Sequence, residues 1–272
     1  MGQSRKFVLH LGMTLQFTKM EGLGNDYVYV DAERFPIADP AALAVRLSDR
    51  HKGVGADGLV LVGRSQAADF SMRIFNADGS EAEMCGNAAR CVGRYVFDRG
   101  MTTKTDLTLE TRAGIRRLRL RPGADVTVNM GPYKAGALSV TVGRRRFDGY
   151  RVDVGNPHFV VFTDLPVEEF GPALECNEAF PDRTNVEFAR FLDDTRIRMR
   201  VWERGSGVTM ACGTGACATF AAALSAGLGL DRATIVMDGG SLEVGYDGGE
   251  LLMTGPAEFV FDGTIQYTGQ EK

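Results

Sequence analysis

Short runs of β-branched and aromatic residues dominate the chain, interrupted by a few stretches with helical spacing. In the first half the pattern predicts strands over 15–17, 27–31, 58–62, 70–75, 105–111, 115–121 and 126–130. A helix is predicted over 40–50, with Asp39 placed to cap it. The most helical stretch there is 87–97, where Ala88, Cys91, Val92, Tyr95 and Val96 share one face and Gly100 ends the run. The second half predicts strands over 144–154, 159–163, 196–202, 234–237, 241–246, 250–254 and 257–261. Its helix, over 214–226, puts Cys217, Phe220, Ala221 and Leu224 on one face and has Gly227 as a left-handed stop. Each half reads as strand-rich around one helix apolar enough to be buried.

Those two helices occupy equivalent places in an internal repeat. Residues 72–91 (MRIFNADGSEAEMCGNAARC) align without a gap on 199–218 (MRVWERGSGVTMACGTGACA). A constant offset of 127 pairs Met72 with Met199, Cys85 with Cys212, Gly86 with Gly213 and Ala89 with Ala216. A shorter echo upstream matches 24–30 (GNDYVYV) to 155–161 (GNPHFVV) at an offset of 131. Two anchors recurring in order indicate duplicated domains, with Gly131-Pro132 as the junction. The fold class expected is mixed α+β in two pseudo-symmetric domains over 14–130 and 131–261, with 1–13 as an extension.

Composition fits this picture. At 272 residues, 44% hydrophobic and 24% charged, the chain is long enough for two ordinary globular domains. With 31 basic against 35 acidic residues the net charge is -4, which carries no nucleic-acid or anionic-membrane footprint and points to a small-molecule partner. No apolar run approaches the ~18 residues of a membrane helix, and the amino-terminal apolar stretch is too short for a signal peptide, so a cytoplasmic protein is expected. Five cysteines, an odd number, argue against a disulfide framework. Cys85-x5-Cys91 and Cys212-x4-Cys217 lack structural zinc spacing and only three histidines are present, so no metal is expected. Cys91, Cys176 and Cys217 read as small buried hydrophobes.

Cys85 and Cys212 read differently. Each precedes a helix, where the first backbone N–H groups lack intrahelical partners and the dipole favours negative charge. Such a start binds a carboxylate and lowers a thiol's pKa. If the two halves pack about a pseudo-twofold axis, the sulfurs face each other across one cleft with an α-carbon between them. One thiolate then removes a proton from one face while the opposite thiol donates one to the other, which is what inverting a stereocentre requires.

The residues also resemble a known family. Gly22-Leu23-Gly24-Asn25-Asp26-Tyr27, Phe75-Asn76-Ala77-Asp78-Gly79-Ser80, Cys85-Gly86-Asn87-Ala88-Ala89-Arg90-Cys91, Gly155-Asn156-Pro157-His158, Glu203-Arg204-Gly205 and Ala211-Cys212-Gly213-Thr214-Gly215-Ala216 together resemble diaminopimelate epimerases, from about residue 15 almost to the end. The resemblance implies a cofactor-independent isomerase that interconverts LL- and meso-diaminopimelate, with two cysteines as acid and base. It implies two domains, each a curved sheet around a central helix, with 262–272 completing the first domain and the site at the interface. By resemblance, Gly86, Asn87, Gly213 and Thr214 hold the reacting carboxylate, and Asn25, Asn76, Asn156, Asn185 and Arg204 bind the rest of the substrate. Arg204 is the natural partner of the distal carboxylate. Glu203 matches an acid facing the substrate amino group and His158 a histidine near the second cysteine. A homodimer is implied at family level only.

Plainer roles stay open beside these. Glu203-Arg204 also reads as a surface ion pair, His158 as a loop-ordering residue and the asparagines as turn formers. Two positions depart from the family pattern: Ala88 stands where many relatives have glycine, and Gly58 where some carry glutamine. The competing readings are a proline or hydroxyproline racemase relative, disfavoured by Asn87 where a histidine is expected, and a thiol redox or binding protein. No lysine suits a pyridoxal Schiff base and no glycine fingerprint suits a nucleotide, so no cofactor is expected.

Overall fold

The computed structural model describes residues 13–267. The first series of elements is β1 (Met13–Gly22), β2 (Asn25–Asp31), α1 (Pro40–Ser48), β3 (Gly58–Gly63), β4 (Phe70–Asn76), β5 (Glu81–Ala82), α2 (Gly86–Asp98), β6 (Asp106–Thr111), β7 (Gly114–Leu120) and β8 (Asp125–Gly131). After β9 (Lys134–Val142) the same order returns as β10 (Arg145–Asp153), β11 (Pro157–Phe162), α3 (Val167–Glu175), β12 (Asn185–Phe191), β13 (Arg196–Glu203), β14 (Gly207–Val208), α4 (Gly213–Ser225), β15 (Arg232–Met237), β16 (Gly240–Asp247) and β17 (Glu250–Pro256). β18 (Glu258–Tyr267) closes the chain. The expected extension falls almost wholly on residues outside those described.

Strand pairing repeats as faithfully as element order. β1 pairs antiparallel with β2, β2 parallel with β3, β3 antiparallel with β4, and β4 parallel with β6, which continues antiparallel through β7 to β8. β10 to β17 copy each relation in turn. The extra strands also correspond, since β9 lies antiparallel beside β10 as β18 lies beside β1. The first series is thus flanked by a strand from the far end of the chain. The two series join where β8 and β17 pair antiparallel, the like-to-like contact that a twofold axis produces.

Both central helices sink into one shared core. α2 packs on β1, β7 and β8, and α4 on β9, β10, β15 and β16. Ala89, Val92 and Val96 of the first helix and Ala216, Phe220 and Ala221 of the second belong to a single apolar cluster with Met20, Val60, Val244 and Met253. Burying a side chain such as Phe220 contributes about 1.5–3 kcal/mol. Two satellite clusters lie outside it, one under α1 with Leu43, Leu47 and Leu59, the other under α3 with Leu174, Phe159 and Val186.

Local chemistry explains most of the boundaries. Asp39 caps α1 by accepting from the Ala42 amide at 3.0 Å, with Pro40 opening the helix. That helix stops at Ser48, short of the predicted residue 50, because Asp49 turns extended and its carboxylate takes the amides of His51 and Lys52. Gly100 and Gly227 end the central helices with φ of 67° and 81°.

Around the second helix of the second series the pattern is less legible. α3 contains Gly171 and Pro172, which read as breakers; Gly171 is there because a Cβ would lie 2.6 Å from Cβ of Trp202. β9 is largely open to solvent and carries little apolar alternation, and β12 is interrupted by Glu187 and Arg190, so neither strand was predicted.

Candidate active site

Cys85 and Cys212 hold the same backbone station. Each is the last extended residue before a central helix, at φ -139°, ψ 121° and φ -131°, ψ 113°. The glycines that follow let one methionine of β17 wedge against both helix starts. A Cβ on Gly86 would lie 2.6 Å from Cε of Met253, and one on Gly213 would lie 3.1 Å from its Sδ and 3.4 Å from Oδ1 of Asn87. The two starts therefore open on one cleft between the halves, about 540 Å³ in volume. Asn25, Asn87, Asn156, Glu203, Arg204 and Thr214 line it together with both Cys-Gly pairs.

Three expected site residues stand elsewhere. Asn76 borders an adjoining cleft of about 930 Å³, shared with Asn25 and Glu203, and donates to Oγ of Ser80 at 2.9 Å. Asn185 is buried behind the wall, where Nδ2 donates to Pro157 O at 2.9 Å and Oδ1 accepts from the Arg204 amide at 2.9 Å. His158 has no exposed surface and stands 2.7 Å from Oε1 of Glu187, itself fully buried.

The thiols differ in their company. Cys85 donates to Oδ1 of Asn25 at 3.5 Å, and Asn25 is held in turn by a 2.8 Å bond to Asp57. Cys212 Sγ accepts from the Gly215 amide at 3.3 Å and lies 3.5 Å from the Thr214 hydroxyl. A polar chain runs behind it: Thr214 accepts from Asn156 Nδ2 at 3.3 Å, and Asn156 Oδ1 faces His158 Nε2 at 3.0 Å.

Burial pushes both thiols up. At Cys85 the amides of Ala88 and Asn87 and the charge of Arg90 pull back, while Glu203 opposes them. Cys212 rises well above the ordinary thiol range, because Glu203 and Glu187 add to burial and only Thr214 and the Gly215 amide work against it. The expected lowering by the helix starts is thus present but smaller than the desolvation of a sulfur. A thiol so raised is a competent acid, and its thiolate a strong base for a weakly acidic C–H. Glu203 is raised as well, by burial first, with Glu187 adding to it and the Thr209 hydroxyl and His158 opposing.

Other expectations need adjusting. Cys91 and Cys217 are buried, but Cys176 is exposed. Glu203 and Arg204 do not pair with each other: Glu203 bonds Thr209, and Arg204 Nη1 donates to Asp182 O at 3.0 Å. Glu187, Asp57 and Arg90 were not singled out. A carboxylate within the apolar string Asn185-Val186-Glu187-Phe188 was the available signal for the first. Among the described residues no cluster of His, Cys, Asp or Glu could hold a metal ion, and no helix is long and apolar enough to cross a membrane.

Comparison with known proteins agrees with the geometry. The family model for diaminopimelate epimerase matches residues 17–135 and again 150–260. A diaminopimelate epimerase of Bacteroides thetaiotaomicron is 52% identical, covering 93% of this chain and 98% of that protein. One of Parabacteroides distasonis is 49% identical over the same shares. Among solved structures, a PhzF-family phenazine biosynthesis protein of Bacillus anthracis superposes with a TM-score of 0.75 at 16% identity, covering 93% of this chain and 99% of that one. A hydroxyproline epimerase of Agrobacterium vitis does so with 0.67 at 18% identity, covering 93% and 92%. Those two likenesses show the fold. With both repeats matched by one family model and about half of its residues identical to enzymes of that name, the chain belongs to the diaminopimelate epimerase family.

Proposed function

We propose that this chain interconverts LL- and meso-diaminopimelate, with Cys85 and Cys212 acting on opposite faces of one α-carbon. The observation that carries the reading is the opening of two Cys-Gly helix starts onto a single cleft, pinned by the same methionine. The α-carboxylate lies on the amides at Gly86, Asn87, Gly213 and Thr214, where the helix dipoles favour it. One thiolate takes the α-hydrogen as a proton, and the C–H electron pair spreads into the carboxylate, whose growing charge those amides stabilise. The other thiol delivers its proton to the opposite face. The sulfurs have then exchanged protonation states, so the reverse reaction uses them in swapped roles.

Glu203 faces the α-ammonium and Arg204 the distal carboxylate, with Asn25 and Asn156 fixing the non-reacting centre. Asn76 reaches the ligand from the adjoining cleft. Asn185 and His158 act from behind the wall, one on Arg204 and the other through Asn156 and Thr214. The protein works in the cytoplasm on the route to lysine and peptidoglycan precursors. We carry the homodimer in the same proposal: Phe259, Val260 and Phe261 of β18 are exposed, an apolar strip suited to a second copy. Sedimentation at micromolar concentration tests it, and a monomer would remove it.

The central test is incorporation of solvent deuterium at the α position of each diaminopimelate stereoisomer under reducing conditions, with proline as control. No incorporation with any diaminopimelate isomer would sink the reading. Full turnover in Cys85→Ala or Cys212→Ala would be fatal to the two-base mechanism.

A further inference from the structure

Arg90 has no exposed surface and makes no ion pair among the described residues. It stands on α2 where the second copy of the repeat has Cys217. Its Nε donates to Pro256 O at 3.0 Å, and its Nη1 donates to Oδ1 of Asn87 at 2.9 Å and lies 3.9 Å from Sδ of Met253. Nη2 has no partner. Gly22 of β1 makes the room, since a Cβ there would lie 2.9 Å from Nη2. The guanidinium thus sits behind both helix starts, touching the same asparagine and methionine that bring them together.

A buried cation with no anion beside it is costly. The groups that its charge reaches are Cys85, Cys91, Cys217 and Tyr29, all uncharged while protonated. Negative charge comes to this place only as a thiolate or as a carboxylate laid on the helix starts. We propose that Arg90 is a positioning residue, a buried counter-charge that holds Asn87 in place and favours the Cys85 thiolate and the ligand carboxylate in front of it. This rests on the reading of Cys85 as an acid–base group. The remaining titratable groups facing Cys85 are Glu203 of β13, which opposes ionisation, Tyr27 and Tyr29 of β2, and Cys91 on its own helix. Among the described residues the charges that act most on Cys212 are those of Glu203 and Glu187 instead. The broken symmetry at positions 90 and 217 therefore steers ionisation toward Cys85.

The test is the pH profile of iodoacetamide modification at Cys85 in the intact protein, followed by mass spectrometry of the Cys85 peptide. In Arg90→Met the midpoint moves up by about one pH unit or more, in Arg90→Lys by less, and turnover of Arg90→Met partly recovers at alkaline pH. An unmoved midpoint in folded Arg90→Met, or equal shifts in the two variants, overturns the proposal. Should Arg90→Met not fold, Arg90→Gln keeps a donor for Asn87 without the charge, and an unmoved midpoint there is equally decisive. If wild-type protein exchanges the α-hydrogen and needs Cys85 while the midpoint stays put, only the role of Arg90 falls. If Cys85 is dispensable, the proposed function falls with it.

Discussion

His158 Nδ1 lies 2.7 Å from Oε1 of Glu187 across the parallel strands β11 and β12, with both side chains wholly enclosed. Removing one member of such a pair strands the other, so Glu187→Ala is expected to cost about 3–5 kcal/mol, read as a lower urea midpoint. Glu187→Gln keeps a hydrogen-bonding side chain but removes a charge that holds Cys212 up. Alkylation of Cys212 should then become half-maximal at a lower pH, and an unchanged profile would dissociate Glu187 from that thiol.

The structural cysteines contribute to the alkaline limit of stability. Burial raises Cys91 and Cys217 from 9.0 to about 12. Above pH ~9 the unfolded chain releases these protons while the folded chain keeps them, so stability is complete below that range and falls as pH climbs toward the folded values. Each thiol contributes a loss of about 1.4 kcal/mol per pH unit. Urea unfolding in steps above pH ~9 should show the slope easing by about that amount in Cys217→Ala. An equal slope in the variant would mean that Cys217 ionises as freely folded as unfolded.

What was legible in the sequence was whatever the chemistry writes locally. The Cys-Gly pairs, their spacing and the helices after them lie within twenty-residue windows, and the structure sets both starts on one cleft. What depended on distant partners was not legible. His158 and Glu187 meet through strand register, and Arg90 reads as a charge on a helix until Gly22 clears its space. Asn76 and Asn185 look alike as motif residues, yet one faces a neighbouring cleft and the other is enclosed under Arg204.

Gly58 has a physical reason in this chain. It pairs with Tyr27 on one side and Asn76 on the other, and a Cβ there would lie 2.1 Å from the Phe75 carbonyl oxygen and 2.8 Å from Cε1 of Tyr27. The nearest obstacle is backbone, which cannot swing aside. Gly58→Ala is therefore expected to destabilise by about 1–3 kcal/mol and to lower turnover by displacing Tyr27 beside Cys85. Denaturation and kinetics measured together check this; wild-type stability would show that β3 can shift freely.

Arg204 is held at its backbone rather than by a carboxylate, through the 2.9 Å bond from its amide to Oδ1 of Asn185. Arg204 lines the cleft, and with Nη1 on the Asp182 carbonyl its guanidinium keeps further N–H groups for a planar anion. A charge-assisted pair of this kind contributes about 1.5–3 kcal/mol, so Arg204→Met should lower kcat/KM for diaminopimelate on the order of ten- to a hundredfold. Arg204→Lys should recover only part, because an ammonium lacks the two-pronged geometry. Asn185→Ala should act in the same direction with a smaller effect, chiefly through KM, by freeing the Arg204 backbone. The discriminating comparison is lysine, which lacks the distal carboxylate: if Arg204→Met slows α-hydrogen exchange into lysine as much as into diaminopimelate, Arg204 does not read that end of the substrate.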